Sequence, residues 1–139
     1  MPEGRCLCGE IEISFVGEPV LQALCHCADC RLISGSAFST NALVPEANFT
    51  LVRGTPRVFT KTGEESGRPI SSFFCGNCGT TCFREGGAFP GLKIVKAGVL
   101  RKAQGEKPAL EGFADRRWGW VGEVEGARQV VSPRGSKLV

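Results

Sequence analysis

Seven of the eight cysteines in this 139-residue chain fall into three tight clusters: Cys6 and Cys8, then Cys25, Cys27 and Cys30, then Cys75 and Cys78. Such spacing constrains the fold more than any apolar pattern, because each cluster must either oxidise or share a metal ion. Cysteines one residue apart are poorly placed to bridge each other without strain. The start, Met1-Pro2-Glu3-Gly4-Arg5-Cys6, has no apolar signal-peptide core, and no apolar run reaches membrane-spanning length. The expected location is therefore the cytoplasm, or the nucleus, where thiols stay reduced. Metal is the better account of the clusters, and zinc is the ion that close cysteine pairs suit.

The length suits one domain. Hydrophobic content of 42% excludes a disordered chain, and 19 glycines with 8 prolines favour short strands and tight turns over long helices. The formal charge is +3, with small basic groups at Arg101-Lys102, Arg116-Arg117, Arg134 and Lys137. No continuous basic stripe or aromatic interleaving accompanies them, so a nucleic-acid partner is not expected.

Ile11, Ile13 and Phe15 alternate with Glu10, Glu12 and Ser14, which reads as a half-buried strand. Val20 to Leu24 leads as a second strand into the cysteine triplet, and Cys27 to Ser34 reads as a loop or a single helical turn. Strands are expected over Phe38 to Val44, around Phe49 and Leu51, around Val58 and Phe59, from Ile70 to Phe74 and from Thr80 to Arg84. Lys61 to Pro69 reads as a surface loop, and Glu85 to Gly91 as an irregular segment overhanging a pocket. Leu92 to Leu100 is expected to be the last long strand, with Phe113, Trp118 and Trp120 packing across the sheets and the final residues frayed. No helix-length period stands out. The expected fold is mainly β: a small zinc-stapled antiparallel-sheet domain over residues 1–139 with few or no helices.

Four sulfurs must surround one structural zinc. Cys75-Gly76-Asn77-Cys78-Gly79 has knuckle spacing, and Cys6-Leu7-Cys8-Gly9 is a tighter clip. Together they make a closed tetrad that staples the first strand to the middle of the chain. Cys25, Cys27 and Cys30 are then left as three sulfurs without a fourth, the coordination associated with zinc that does chemistry. In an extended segment Cys25 and Cys27 point one way and His26 the other, so the only histidine reads as a neighbour of that site rather than a ligand. Cys82 reads as a small buried side chain, with completion of the triplet as the alternative.

The ordered set Gly4-x-Cys6-x-Cys8-Gly9, Cys25-His26-Cys27-x2-Cys30-Arg31-x2-Ser34-Gly35-Ser36 and Phe74-Cys75-x2-Cys78-Gly79-Thr80 resembles the glutathione-dependent formaldehyde-activating enzyme family, whose domain centromere protein V shares. The resemblance runs from about Gly4 to Leu100, with 101–139 as an extension packed on that core. It implies a tent-like β fold, a structural zinc on Cys6, Cys8, Cys75 and Cys78, and a catalytic zinc on Cys25, Cys27 and Cys30. The implied activity is that of a carbon–sulfur lyase forming or cleaving S-(hydroxymethyl)glutathione. An aliphatic residue is more usual in the family at the position of Cys82.

Two zinc ions, a glutathione-like thiol and an aldehyde are the cofactors and partners this reading calls for. Three thiolates make the metal a weak Lewis acid, so delivery of a substrate thiolate is favoured over polarisation of a carbonyl. With no tyrosine and one histidine, His26, Asp29 or water are left as general acids. Arg31 and Arg68 are candidates for gripping substrate carboxylates, and Ser34 and Ser36 for orienting the substrate. Two other readings stand: a zinc-stabilised module that binds protein or chromatin without catalysis, and a zinc chaperone.

Overall fold

The computed structural model describes residues 2–63 and 66–131, residue 104 by its backbone alone. Arg134, Lys137 and the expected frayed end lie outside the described residues. The chain is mainly β, with eleven strands and one α-helix among the described residues. The strands are β1 (Gly4–Arg5), β2 (Glu12–Phe15), β3 (Leu21–Cys25), β4 (Ser39–Pro45), β5 (Phe49–Arg53), β6 (Arg57–Thr62), β7 (Pro69–Phe74), β8 (Thr81–Gly86), β9 (Leu92–Lys96), β10 (Leu110–Gly112) and β11 (Arg128–Gln129). Helix α1 (Ala28–Ser34) follows β3.

A small sheet of order β1-β2-β5 packs on a large one of order β11-β10-β3-β4-β9-β8-β7-β6. Alternation along the strands gives the large sheet two different faces. Ala42, Val44, Phe83 and Val95 project toward the small sheet and form the core with Ile11 and Ile13. Phe83 stacks on Phe73 with centroids 4.6 Å apart and meets Phe49 at 4.8 Å. The intervening residues Leu21, Ala23, Asn41, Leu43, Arg84, Ile94 and Lys96 face the other way and line a cavity. The strands of this sheet therefore carry buried residues at consecutive positions, as in β4 from Asn41 to Val44.

Gly54 turns the chain from β5 toward β6 at φ 86°, and a Cβ there would lie 2.3 Å from the Glu10 carbonyl oxygen. Only glycine permits both the backbone and the close approach. The first strand is also tied to the segment that follows β9, through a bridge from Gly4 to Leu100 and a bond from the Arg101 N–H to the Glu3 carbonyl.

Several details differ from the sequence expectation. Trp118 and Trp120 do not pack across the sheets but are exposed, and Glu85 and Gly86 continue β8 rather than starting the irregular segment. Cys27 to Ser34 is a helix of about two turns. The Cys27 sulfur caps it by accepting from the Cys30 N–H at 3.4 Å, and Gly35 ends it at φ 65° with its N–H on the Arg31 carbonyl. The helix shows no apolar period because it buries only Cys30 and leaves Leu32 83% exposed. The strand from Leu92 stops at Lys96, where a 3-10 turn over Ala97–Val99 takes over. Finally, β10 runs parallel to both β3 and β11, the one departure from antiparallel pairing.

Candidate functional site

The Cys6–Cys8 clip sits between β1 and β2 on a turn closed by the Gly9 N–H to the Cys6 carbonyl at 3.1 Å. The Cys75–Cys78 knuckle joins β7 to β8, with the Gly79 N–H on the Cys75 carbonyl at 2.8 Å and Gly79 at φ 79°. The Leu7 N–H reaches the Thr80 hydroxyl at 3.1 Å and locks clip to knuckle. All four sulfurs lie within 4.8 Å of one another. Cys6 and Cys8 are 3.7 Å apart, as are Cys8 and Cys75. A tetrahedron with zinc–sulfur bonds of about 2.3 Å has edges of about 3.8 Å, so this donor set fits a closed zinc site. Backbone N–H groups of Ile11 (3.2 Å, to Cys6) and Asn77 (3.4 Å, to Cys75) point at the sulfurs, as anionic thiolates require. The Thr80 hydroxyl, with backbone donors, holds the Cys78 thiol down to about 5.

Cys82 lies beside this tetrad in the core, 1% exposed, with its thiol on the Thr80 carbonyl at 3.7 Å. Burial, reinforced by the thiolates of Cys6 and Cys75, pushes it up to about 12. It is a neutral packing residue there, and it does not join the triplet. Its placement follows from a bulge between β7 and β8, where Phe73 pairs with Phe83 but Phe74 pairs with Thr81.

Cys25 ends β3, Cys27 caps α1 and Cys30 lies in its first turn, so a strand-to-helix corner gathers three sulfurs within 4.8 Å. Among the described residues no fourth cysteine, histidine, aspartate or glutamate atom joins them. Hydrogen bonds from Cys25 and then Cys27 hold the Cys30 thiol well below the ordinary thiol range, while those with Cys27 and Cys30 push Cys25 far above it. Packed this closely, the sulfurs compete for protons, and a soft divalent cation relieves the competition by replacing them.

His26 points away from the sulfurs and is 0% exposed. Its Nε2 donates to Glu111 Oε1 at 2.8 Å. Glu111 Oε2 accepts from the Val124 N–H at 2.8 Å, Gln129 Nε2 at 2.6 Å and Arg117 Nη2 at 3.4 Å. Burial alone would raise the Glu111 carboxyl, but these donors outweigh it and hold the group below the usual carboxylate range. The network fixes the strand carrying the triplet to the C-terminal strands β10 and β11.

All three sulfurs of the triplet line a cavity of about 330 Å³. Its walls are chiefly apolar, with Leu21, Leu43, Ile94, Phe89 and Phe113 among them, and Ala88 and Phe89 come from the irregular segment after β8. Asn41, Arg84 and Lys96 are its buried polar residues, and the less buried Asp29, Ser66 and Arg116 also line it. Asn41 spans from the Ala23 carbonyl (3.2 Å) and the Ser39 hydroxyl (2.9 Å) to Lys96 Nζ, which donates to its Oδ1 at 2.8 Å. Arg84 Nε donates to the Ser72 hydroxyl at 2.8 Å. Burial pushes the Lys96 amine down, and the Cys30 sulfur partly restores it.

The four substrate candidates taken from the sequence are not among the residues lining this cavity. The Arg31 guanidinium lies 5.8 Å over the Trp118 ring, and Arg68 Nη1 donates to the Gly87 carbonyl at 3.1 Å. The Ser34 hydroxyl donates to the Phe38 carbonyl and accepts from the Ser36 N–H, closing the turn after α1. Asp29 does line the cavity, paired with Lys61 at 3.0 Å. Sequence reasoning missed Asn41, Arg84 and Lys96. The available signal was a cation set among apolar residues on strands buried on both faces, at Arg84 after Phe83 and Lys96 after Val95.

No curated protein matches this chain. In the crystal structure of a Rhodobacter sphaeroides protein, a structural-genomics target, the similar fold has a TM-score of 0.55 at 21% identity, over 71% of this chain and 87% of that one. The sequence pattern described as "Glutathione-dependent formaldehyde-activating enzyme" matches residues 1–116, from the first clip through the triplet, the knuckle and β10. With most of its length matched, the chain belongs to the glutathione-dependent formaldehyde-activating enzyme family.

Proposed function

We propose that this protein is a zinc-dependent carbon–sulfur lyase that forms or cleaves a thiol–aldehyde adduct such as S-(hydroxymethyl)glutathione. The observation that carries the reading is the inequality of the two cysteine groups. Four sulfurs close on one another in the tetrad, whereas three sulfurs face a 330 Å³ cavity. Cys6, Cys8, Cys75 and Cys78 would hold a structural ion, and Cys25, Cys27 and Cys30 a second one. A zinc ion held there by three thiolates would supply acidity to a substrate thiol near neutral pH.

The protein's own residues then set the reaction up. The apolar walls exclude water from the reacting atoms, which strengthens every charge inside the cavity. The His26–Glu111 network holds the corner that places Cys25 and Cys27. In the forward direction the thiolate sulfur bonds to the aldehyde carbon, and the C=O π pair moves onto oxygen. A proton equivalent to the one the thiol lost ends on that oxygen; cleavage reverses each step. Asp29, which lines the cavity, is the carboxylate placed to pass that proton.

The test pairs zinc content with exchange spectroscopy. Wild type is expected to carry two zinc ions per chain and to accelerate NMR exchange between glutathione and its formaldehyde adduct. Cys25→Ser should lose one ion and the exchange together. Retention of both ions in the variant, or exchange in wild type no faster than in buffer, removes the lyase reading and favours a non-catalytic zinc module.

A further inference from the structure

Two cations face the cavity without an acid. Arg84 is 5% exposed and Lys96 8% exposed, and both line the cavity that holds the cysteine triplet. Neither has a carboxylate partner among the described residues; the acid in the lining, Asp29, is paired with Lys61. They sit on neighbouring strands, with Arg84 opposite Ile94 and Lys96 two residues further along the same face. Diagonal neighbours of this kind lie about 7–8 Å apart at the backbone, well within reach of one another for such long side chains. Two like charges buried side by side are costly unless an anion joins them, and the Cys30 sulfur offsets that cost only in part for Lys96.

Their donors are largely unspent. Arg84 uses Nε on Ser72, and its two terminal nitrogens have no hydrogen bond among the described residues. Lys96 spends one hydrogen on Asn41, itself braced from Ala23 and Ser39. Rigidly mounted donors aimed into a largely apolar cavity are what a developing negative oxygen needs, because they require no reorganisation as the charge forms.

We infer that Arg84 and Lys96 form an oxyanion subsite beside Cys25, Cys27 and Cys30, which receives the aldehyde oxygen as the C–S bond forms and its π pair moves onto that oxygen. The inference rests on the lyase reading for the identity of the oxygen, but the subsite itself is testable alone. Both groups act by hydrogen bonding; the proton balance is the one given above. The subsite would select aldehydes with a small apolar substituent, since the surrounding walls are apolar.

The probe is formate, which carries the same anionic oxygen on one carbon. Its proton NMR line should broaden on adding zinc-loaded wild type, and its affinity should fall at least about ten-fold with Lys96→Met and with Arg84→Gln, while Lys102→Gln, at an exposed residue outside the cavity lining, behaves as wild type. Each variant is compared at full zinc content, with Arg84→Lys as a second, volume-conserving change expected to retain part of the binding. In the exchange assay, kcat should fall about 10²–10³-fold in Lys96→Met and Arg84→Gln, the range for loss of one oxyanion donor, with KM for glutathione little changed. Formate binding that persists in both variants, or is absent in wild type, overturns the subsite whatever the exchange shows. A fall confined to KM also overturns it, because the cations would then grip a substrate carboxylate. Formate binding that depends on both residues in a protein without exchange would retain the anion subsite and remove the lyase reading.

Discussion

Glu111→Ala should cost this protein about 3–5 kcal/mol of stability, the range for stripping one partner from a buried charged group. The magnitude follows from the bonds lost. Glu111 is 0% exposed and accepts from His26 Nε2, the Val124 N–H, Gln129 Nε2 and Arg117 Nη2. Truncation leaves His26 Nε2, itself fully buried, without a partner, and His26 Nδ1 already has none. Glu111→Gln is the sharper probe. An amide in place of Oε2 would turn a donor toward three donors, so its nitrogen must face His26 instead. That forces the histidine proton onto Nδ1, where no acceptor lies, and an unmatched buried donor costs about 1–3 kcal/mol. Urea unfolding at fixed free zinc measures both changes as midpoint shifts. The two variants should rank Ala above Gln in damage. A loss below about 0.5 kcal/mol for Glu111→Ala would show that the network contributes nothing and refute the argument.

The acid limb offers an independent check. The Glu111 carboxyl is held below its usual value in the folded state, so its stabilising share is complete above the unfolded value of about 4.3 and disappears as pH falls through the lower folded value. Glu111→Gln should therefore flatten stability against pH below about 4.3, visible in unfolding midpoints across an acid series. Phe83→Ala removes a ring that is 4% exposed and in contact with Phe73 and Phe49, and should cost about 3–5 kcal/mol by thermal or urea unfolding. Gly54→Ala meets the Glu10 carbonyl at 2.3 Å and a φ of 86°, so it should destabilise by more than about 1 kcal/mol, in contrast to Gly98→Ala, where no atom lies within 4 Å. Cys75→Ser should lose the structural ion and with it the fold by circular dichroism, since such ions contribute about 10–16 kcal/mol in small domains. Cys27→Ser should keep the β spectrum and lose only the second ion.

Chemistry was more legible in the sequence than topology. Cysteine clusters announce themselves by spacing, and the structure brings Cys6, Cys8, Cys75 and Cys78 together across β1 and β7 as that spacing demands. Half-buried strands such as β2, with Ile13 inward and Glu12 and Ser14 outward, were equally readable. Helix α1 was not, because its stability comes from a cysteine cap and a left-handed glycine rather than an apolar stripe. Nor was β10: three residues, Leu110 to Gly112, join the sheet in parallel, held by a glutamate whose partners lie 85 residues upstream and 18 downstream. Arg84 and Lys96 were overlooked for a related reason. On a sheet buried on both faces, the residues that line a cavity alternate with those that fill the core, and sequence period alone does not say which face is hollow.

Replacing zinc with cadmium and following the metal by NMR while a thiol is added tests the central claim most directly. Two resonances are expected: one with the shift of four sulfurs that ignores the thiol, and one with three protein sulfurs that moves toward the first as the thiol binds. Two resonances that both show four sulfurs beforehand, and stay fixed throughout the titration, would contradict it.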